Sequence, residues 1–110
     1  MIKLSAVIIT FNEALNIERC LKSLIPVVDE IVVVDSFSTD NTKEICLNYN
    51  VTFIEQEFLG YIQQKNFALT KTSSNYVVSL DGDEALSDTL QKSILKLKSK
   101  SITAYEFLTE

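Results

Sequence analysis

Apolar residues occur along this chain in short continuous runs and in helical stripes, and the two alternate from one end to the other. Leu4 to Thr10 is a β-rich run with SAVIIT at its centre, which predicts a first strand. From Glu13 to Leu24 the apolar positions fall at Ile17, Cys20, Leu21 and Leu24, the spacing of one helix face, and Pro26 follows as a stop. Ile31 to Val34 (IVVV) is continuously apolar and ends in Asp35, as suits a parallel strand covered on both faces. The polar loop Ser36 to Asn41 leads into a second helix carrying Ile45, Cys46 and Tyr49, and Val51 to Ile54 predicts a third strand. Gly60 opens a helix with Tyr61, Ile62, Ala68 and Leu69 on or near one face. Tyr76 to Leu80 (YVVSL) predicts a fourth strand ending at Asp81. Leu86, Leu90, Ile94 and Leu97 mark a last amphipathic helix, with Lys92, Lys96, Lys98 and Lys100 as its solvated face. Ala104 to Leu108 reads as the start of a fifth strand.

The order βαβαβαβα, with right-handed crossovers, predicts an α/β fold: a mostly parallel sheet with helices on both faces. The 110 residues suit one domain spanning 1–110, without repeats, low-complexity segments or an internal linker. In such sheets ligands bind outside the carboxyl ends of the strands. The residues just after each strand are therefore the ones that matter for function.

Composition narrows the choice of ligand. The net charge is −5. A broad nucleic-acid or anionic-membrane surface needs a clustered basic patch, so neither partner is expected. There is no histidine and no CxxC, which excludes a zinc site of the usual kind. Cys20 and Cys46 sit among apolar residues and read as buried free thiols in a reducing compartment. No signal peptide is expected at the N-terminus, and no apolar stretch approaches the ~20 residues that span a bilayer. The expected location is the cytoplasm, which makes the sequon Asn50-Val51-Thr52 accidental.

Polar clusters follow three of the strands: Thr10-Phe11-Asn12-Glu13, Asp35 to Asp40, and Asp81-Gly82-Asp83-Glu84. Acidic groups at three neighbouring strand ends would repel one another, so a divalent cation or ligand donors should compensate them. Asp81 and Asp83 lie two apart in an extended segment and point to one side, while Gly82 allows close approach. Mg²⁺ or Mn²⁺ suits such a pair, held by one or two carboxylates plus substrate phosphates. An EF-hand is excluded, because Leu86 stands where the loop glycine should be. Asp40 and Asn12 are equally readable as caps of the helices that follow them. Asp35 ends a buried strand, and its side chain is expected to project into the crevice and meet a ligand. Lys65 is either solvated surface or a phosphate contact. The absence of GxGxxG and of a P-loop argues against a dinucleotide site or a Walker-type NTPase.

The segments AVIITFNE, DEIVVVDSFSTDNT, QKNFAL and YVVSLDGDE, in this order, resemble family-2 glycosyltransferases, most closely the bacterial lipopolysaccharide-core type. The resemblance runs from about Leu4 to Glu84. It implies a truncated, Rossmann-like GT-A fold that binds a nucleoside-diphosphate sugar, a UDP-sugar, for transfer with inversion to a glycan or lipid-linked acceptor of the cell envelope. It would place the nucleotide against Thr10, Phe11, Asn12, Glu13, Asp35, Ser36, Ser38 and Asp40. Asp81 would lie near the ribose or metal, Asp83 would ligate Mn²⁺ or Mg²⁺, and Lys65 would match a basic position near the donor. The catalytic base would lie beyond Glu110, in a protein about twice this length. Glu106 and Glu110 are assigned no role. Missing segments would dock the protein on the cytoplasmic face of the inner membrane.

Two other readings remain open at this point: a non-catalytic nucleotide-binding or regulatory module, and a different α/β protein such as a nucleotidyltransferase or a phosphoacceptor receiver. A receiver wants an acidic pair after the first strand, where this chain has Asn12-Glu13. A nucleotidyltransferase wants a glycine-rich basic loop there, and Thr10 to Glu13 is neither.

Overall fold

A computed structural model describes residues 3–100. The elements are β1 (Leu4–Thr10), α1 (Ile17–Leu24), β2 (Glu30–Asp35), α2 (Thr42–Leu47), β3 (Thr52–Glu55), α3 (Tyr61–Leu69), β4 (Tyr76–Asp81) and α4 (Asp88–Lys100). The strands form a four-stranded sheet in the order β3-β2-β1-β4. Every neighbouring pair is parallel, with Thr10 opposite Asp35 and Ile9 opposite Asp81. That register brings three strand ends to one rim. The fifth strand expected at Ala104 to Leu108 lies outside the described residues.

Alternation along the strands divides the core. Ala6, Ile8, Val33, Val78 and Leu80 face a layer containing Ile17, Cys20, Leu21, Leu24, Cys46 and Ile94 from α1, α2 and α4. Val7, Ile9, Val32 and Val34 face the other way, onto Ala68 and Phe67 of α3. Both faces are therefore covered, as unbroken apolar strands require. Cys20 and Cys46 are buried free thiols, and burial pushes each up to about 12.

Three local expectations are corrected. α1 begins at Ile17 rather than Glu13. The N–H groups of Glu13 and Ala14 are taken by Thr42 Oγ1 (2.9 Å) and Asp40 Oδ2 (3.1 Å), so this segment is tied to the neighbouring loop before the helix begins. On α3, Ala68 is buried, but Tyr61, Ile62 and Leu69 are exposed. On α4, Lys92 and Lys96 are exposed, whereas Lys98 reaches across to Val27 O and Asp29 Oδ2, each at 3.0 Å. The side chain of Lys100 lies outside the described residues.

Candidate functional site

A cavity of about 490 Å³ opens at the carboxyl ends of β1, β2 and β4. Its walls include Thr10, Phe11, Glu13, Ser36, Asp81 and Asp83, all expected at a ligand site. Ile9, Gly82, Phe58 and Tyr61 line it as well. The sequence expectation places Tyr61 on or near the apolar face of its helix with no ligand role, and it does not single out Phe58. The signal that could have found them was position: Phe58 and Tyr61 follow the end of β3, and strand ends are where ligands sit. Their rings pack edge to face with centroids 5.1 Å apart.

The β4 end is a fixed turn with a free acidic side chain. Gly82 N donates to Ile9 O (3.0 Å), Glu84 N donates to Asp81 O (2.9 Å), and Asp81 N donates to Glu84 Oε1 (2.7 Å). Arg19 Nη2 donates to Asp83 O (2.9 Å). Among the described residues the Asp83 carboxylate has no hydrogen-bond partner, and it is exposed. Gly82 is required here: a Cβ would lie 2.4 Å from Thr10 Oγ1 and 2.9 Å from Thr10 Cβ. The Thr10 hydroxyl is buried beneath this turn and is unpaired among the described residues.

Burial first, and then the negative charges of Glu84, Asp83 and Glu13, hold the Asp81 carboxyl above the usual carboxylate range, while Lys65 pulls it down. Carboxylates that raise one another in this way favour a cation between them. Among the described residues no group of three or more Asp, Glu, Cys or His side chains converges on one point. Asp81 and Asp83 bring two carboxylates to the cavity, and ions of the Mg²⁺ or Mn²⁺ type are commonly held by one or two carboxylates and completed by ligand oxygens.

The β1 and β2 ends are built differently. Asp35 is 1% exposed, and its two oxygens accept from the Ser38 N–H (2.7 Å) and the Ser38 hydroxyl. The turn these bonds close holds Phe37 at φ 60°, a region that disfavours aromatic residues. Asn12, at φ 50°, accepts with Oδ1 from Thr39 N (2.8 Å), Thr39 Oγ1 (3.4 Å) and Asp40 N (3.3 Å), and its own N–H donates to Ser38 Oγ (2.8 Å). Asp40 accepts from Thr42 N (3.0 Å) and Thr42 Oγ1 (2.6 Å) with one oxygen and from Ala14 N with the other.

Asn12, Asp35, Ser38 and Asp40 are therefore the fastening between two loops, and none of them lines the cavity. The expectation that Asp35 projects into the crevice is corrected, because the Ser38 donors hold its carboxylate inside. Asn12 does not cap α1, whose N-cap is Asn16. Asp40 does serve the first N–H of α2, as the capping reading expected. Nor do Asp35 and Asp40 call for a cation, since backbone N–H groups and hydroxyls already compensate them, whereas Glu13 adds to the crowding at Asp81. Lys65 is exposed and outside the cavity wall, close enough for its charge to act on Asp81.

The sequence profile described as Glycosyl transferase family 2 matches residues 5–104. An uncharacterized glycosyltransferase of Rickettsia bellii is 44% identical over 92 residues, which cover 84% of this chain and 31% of that protein. The lipopolysaccharide core biosynthesis glycosyltransferase LpsC of Rhizobium meliloti is 36% identical over 103 residues, covering 89% of this chain and 38% of LpsC. Among solved structures, glucosyl-3-phosphoglycerate synthase of Mycobacterium tuberculosis, in complex with Mn²⁺, UDP and glucosyl-3-phosphoglycerate, superposes with a TM-score of 0.66 at 26% identity. That match covers 76% of this chain and 35% of the synthase. The chain thus spans about a third of the length of the curated relatives it matches, which corrects the expected factor of two.

Proposed function

Since this chain belongs to glycosyl transferase family 2 and carries the GT-A fold, we propose that its cavity binds the nucleoside-diphosphate part of a sugar donor, a UDP-sugar. Phe11, Glu13, Ser36 and Asp81 would meet the nucleoside, and Lys65 would face the diphosphate charge. Asp83, with Asp81, would hold Mn²⁺ or Mg²⁺, which supplies Lewis-acid stabilisation of the departing diphosphate when bound. Asn12, Asp35, Ser38 and Asp40 shape the wall without touching the ligand.

The observation that carries this reading is the contrast in hydrogen bonding at the rim. The Asp83 carboxylate stands free above a turn fixed by Gly82, Glu84 and Arg19, beside an Asp81 already crowded by negative charge. A fixed backbone with an unspent carboxylate is an arrangement for ligating something else.

Transfer also needs an acceptor pocket and a carboxylate base within hydrogen-bond reach of the acceptor hydroxyl. We assign both to the region that the relatives carry outside the matched third, with a cell-envelope glycan as acceptor and the cytoplasmic face of the inner membrane as location. Among the described residues no helix is long and apolar enough to cross a membrane.

Calorimetry of UDP binding tests the site. Replacing Asp83 by Ala, or chelating the metal, should weaken binding about 30-fold, the equivalent of the ~2 kcal/mol typical of one charged contact. The melting temperature should not move, because among the described residues the Asp83 side chain makes no hydrogen bond or ion pair. Metal-independent binding that survives Asp83→Ala overturns the assignment. Robust sugar transfer by the 110 residues alone would overturn the division of labour.

A further inference from the structure

α3 carries one buried polar side chain that the donor-site reading leaves unused. Gln64 is 2% exposed, on the apolar face where Val7, Ile9, Val32, Val34 and Ala68 pack. A side-chain amide in such a layer costs stability unless its hydrogen bonds are made, and an apolar residue of the same volume would not carry that cost. Its Nε2 donates to Ser36 Oγ (3.1 Å) and lies 3.4 Å from Gln56 O. A backbone carbonyl can only accept, so the amide must present its NH₂ group to this pair, and its orientation is fixed by the network.

That orientation has a consequence for Ser36. Its backbone N–H is already committed to Thr10 O (3.0 Å). Its hydroxyl oxygen accepts from Gln64, and among the described residues its own proton has no acceptor. Ser36 lines the cavity. A serine that accepts from behind presents an O–H donor in front.

We infer that Gln64 is a positioning residue: its buried amide fixes Ser36 as a hydrogen-bond donor toward an acceptor oxygen of the nucleotide. The inference rests on the reading of the cavity as a nucleotide site. It specifies the chemistry at this wall: a carbonyl, hydroxyl or phosphate oxygen against Ser36 takes the one proton that the network leaves unspent. It also explains why the sheet face under α3 tolerates a polar residue where a leucine or methionine would pack more cheaply.

The test is UDP affinity in the presence of Mn²⁺ for four proteins: the unaltered chain, Gln64→Met, Ser36→Ala and the double variant. Each single change should weaken binding about 3- to 10-fold, the worth of one net hydrogen bond. Because Gln64 acts through Ser36, the double variant should be no weaker than Ser36→Ala alone. Losses that multiply, or wild-type affinity in Gln64→Met, overturn the inference, since a merely structural Gln64 would not be coupled to Ser36. Should Gln64→Met fail to fold, Gln64→Asn keeps the amide but withdraws it from Ser36. The same non-multiplying loss is then expected, and unchanged affinity in Gln64→Asn or in Ser36→Ala overturns the proposal. If the unaltered chain binds no UDP, the nucleotide reading itself falls, an outcome visible before any variant is made.

Discussion

At the ends of β1 and β2, Asn12, Asp35 and Asp40 use their oxygens on the backbone and hydroxyls of the adjoining loops, so that two loops become one rigid wall. At the end of β4 the turn is fixed through its backbone and through Glu84, and the Asp83 carboxylate is left over. The residue types are much the same in both places. What differs is whether donors of the chain itself surround the acid. An acid whose hydrogen bonds are satisfied internally contributes shape. One left unsatisfied at the mouth of a cavity contributes affinity, because binding a cation or a donor there removes repulsion instead of breaking existing bonds. The two regions should therefore respond to mutation in opposite ways: stability at the first, binding at the second.

Asp35→Ala should produce the largest loss of stability. It removes a buried acceptor and strands the Ser38 N–H in a half-buried loop, which should cost about 2–3 kcal/mol. For a domain of this size each kcal/mol lowers Tm by roughly 4–8 °C. Thermal unfolding followed by circular dichroism reads the loss. UDP affinity, measured well below the new Tm, should fall less than in Asp83→Ala. A variant that melts normally but no longer binds UDP would mean that Asp35 leaves Ser38 for the ligand, and the contrast between the two regions would fail.

Gly82→Ala comes next and bears on both quantities. The added methyl would overlap the Thr10 side chain, so the turn between Asp81 and Asp83 must rise. Overpacking of this kind costs about 1–2 kcal/mol. The displaced Asp83 should also weaken metal-dependent UDP binding, while Asp83→Ala weakens binding alone. Thr10→Ala in the Gly82→Ala background removes the hydroxyl oxygen nearest the added carbon and keeps Cβ, and so tests which atom is the obstacle. If the double change restores Tm and affinity together, the oxygen set the limit. If neither returns, the limit is Thr10 Cβ, which stands 2.9 Å from the added carbon.

Much of this could be read in the chain beforehand, for a physical reason. Runs such as IVVV and SAVIIT, alternating with helical stripes, suit strands covered on both faces, so the succession of elements and the parallel sense of the sheet follow from local pattern. Asp81-Gly82-Asp83 was legible as well, because the end of a buried strand fixes where its next residues lie. The wall was not legible. Asn12 meets the N–H of Thr39 across 27 positions of sequence, and no periodicity encodes a bond between two loops. The same holds for Asp35, whose direction depends on a serine hydroxyl and a positive φ at Phe37. Tyr61 was legible only as part of an apolar helix face and Phe58 was not singled out, whereas the segment after β3 and the start of α3 overhang the cavity.

The smallest effect expected is a pH dependence carried by Asp40. Hydrogen bonds from the Thr42 hydroxyl first, and then from the backbone N–H groups of Thr42 and Ala14, hold its carboxyl below the usual range. A carboxyl whose folded value is depressed binds fewer protons in the folded than in the unfolded chain. Its contribution to stability is therefore complete above the unfolded value and is lost as the pH falls through the ordinary carboxylate range toward the folded one. Tm should accordingly decline on the acid side as the two loops lose their fastening. Asp40→Asn should flatten part of that decline and lower Tm slightly at neutral pH. An amide keeps an oxygen for Thr42 but turns an NH₂ toward the Ala14 N–H, donor against donor. UDP affinity at neutral pH should barely move, because Asp40 lies outside the cavity wall. Unfolding scans from neutral to acid pH on both proteins, with UDP titrations at neutral pH, make the comparison. An unchanged acid limb would mean that Asp40 fastens nothing, and a loss of affinity without a change in Tm would return it to the ligand.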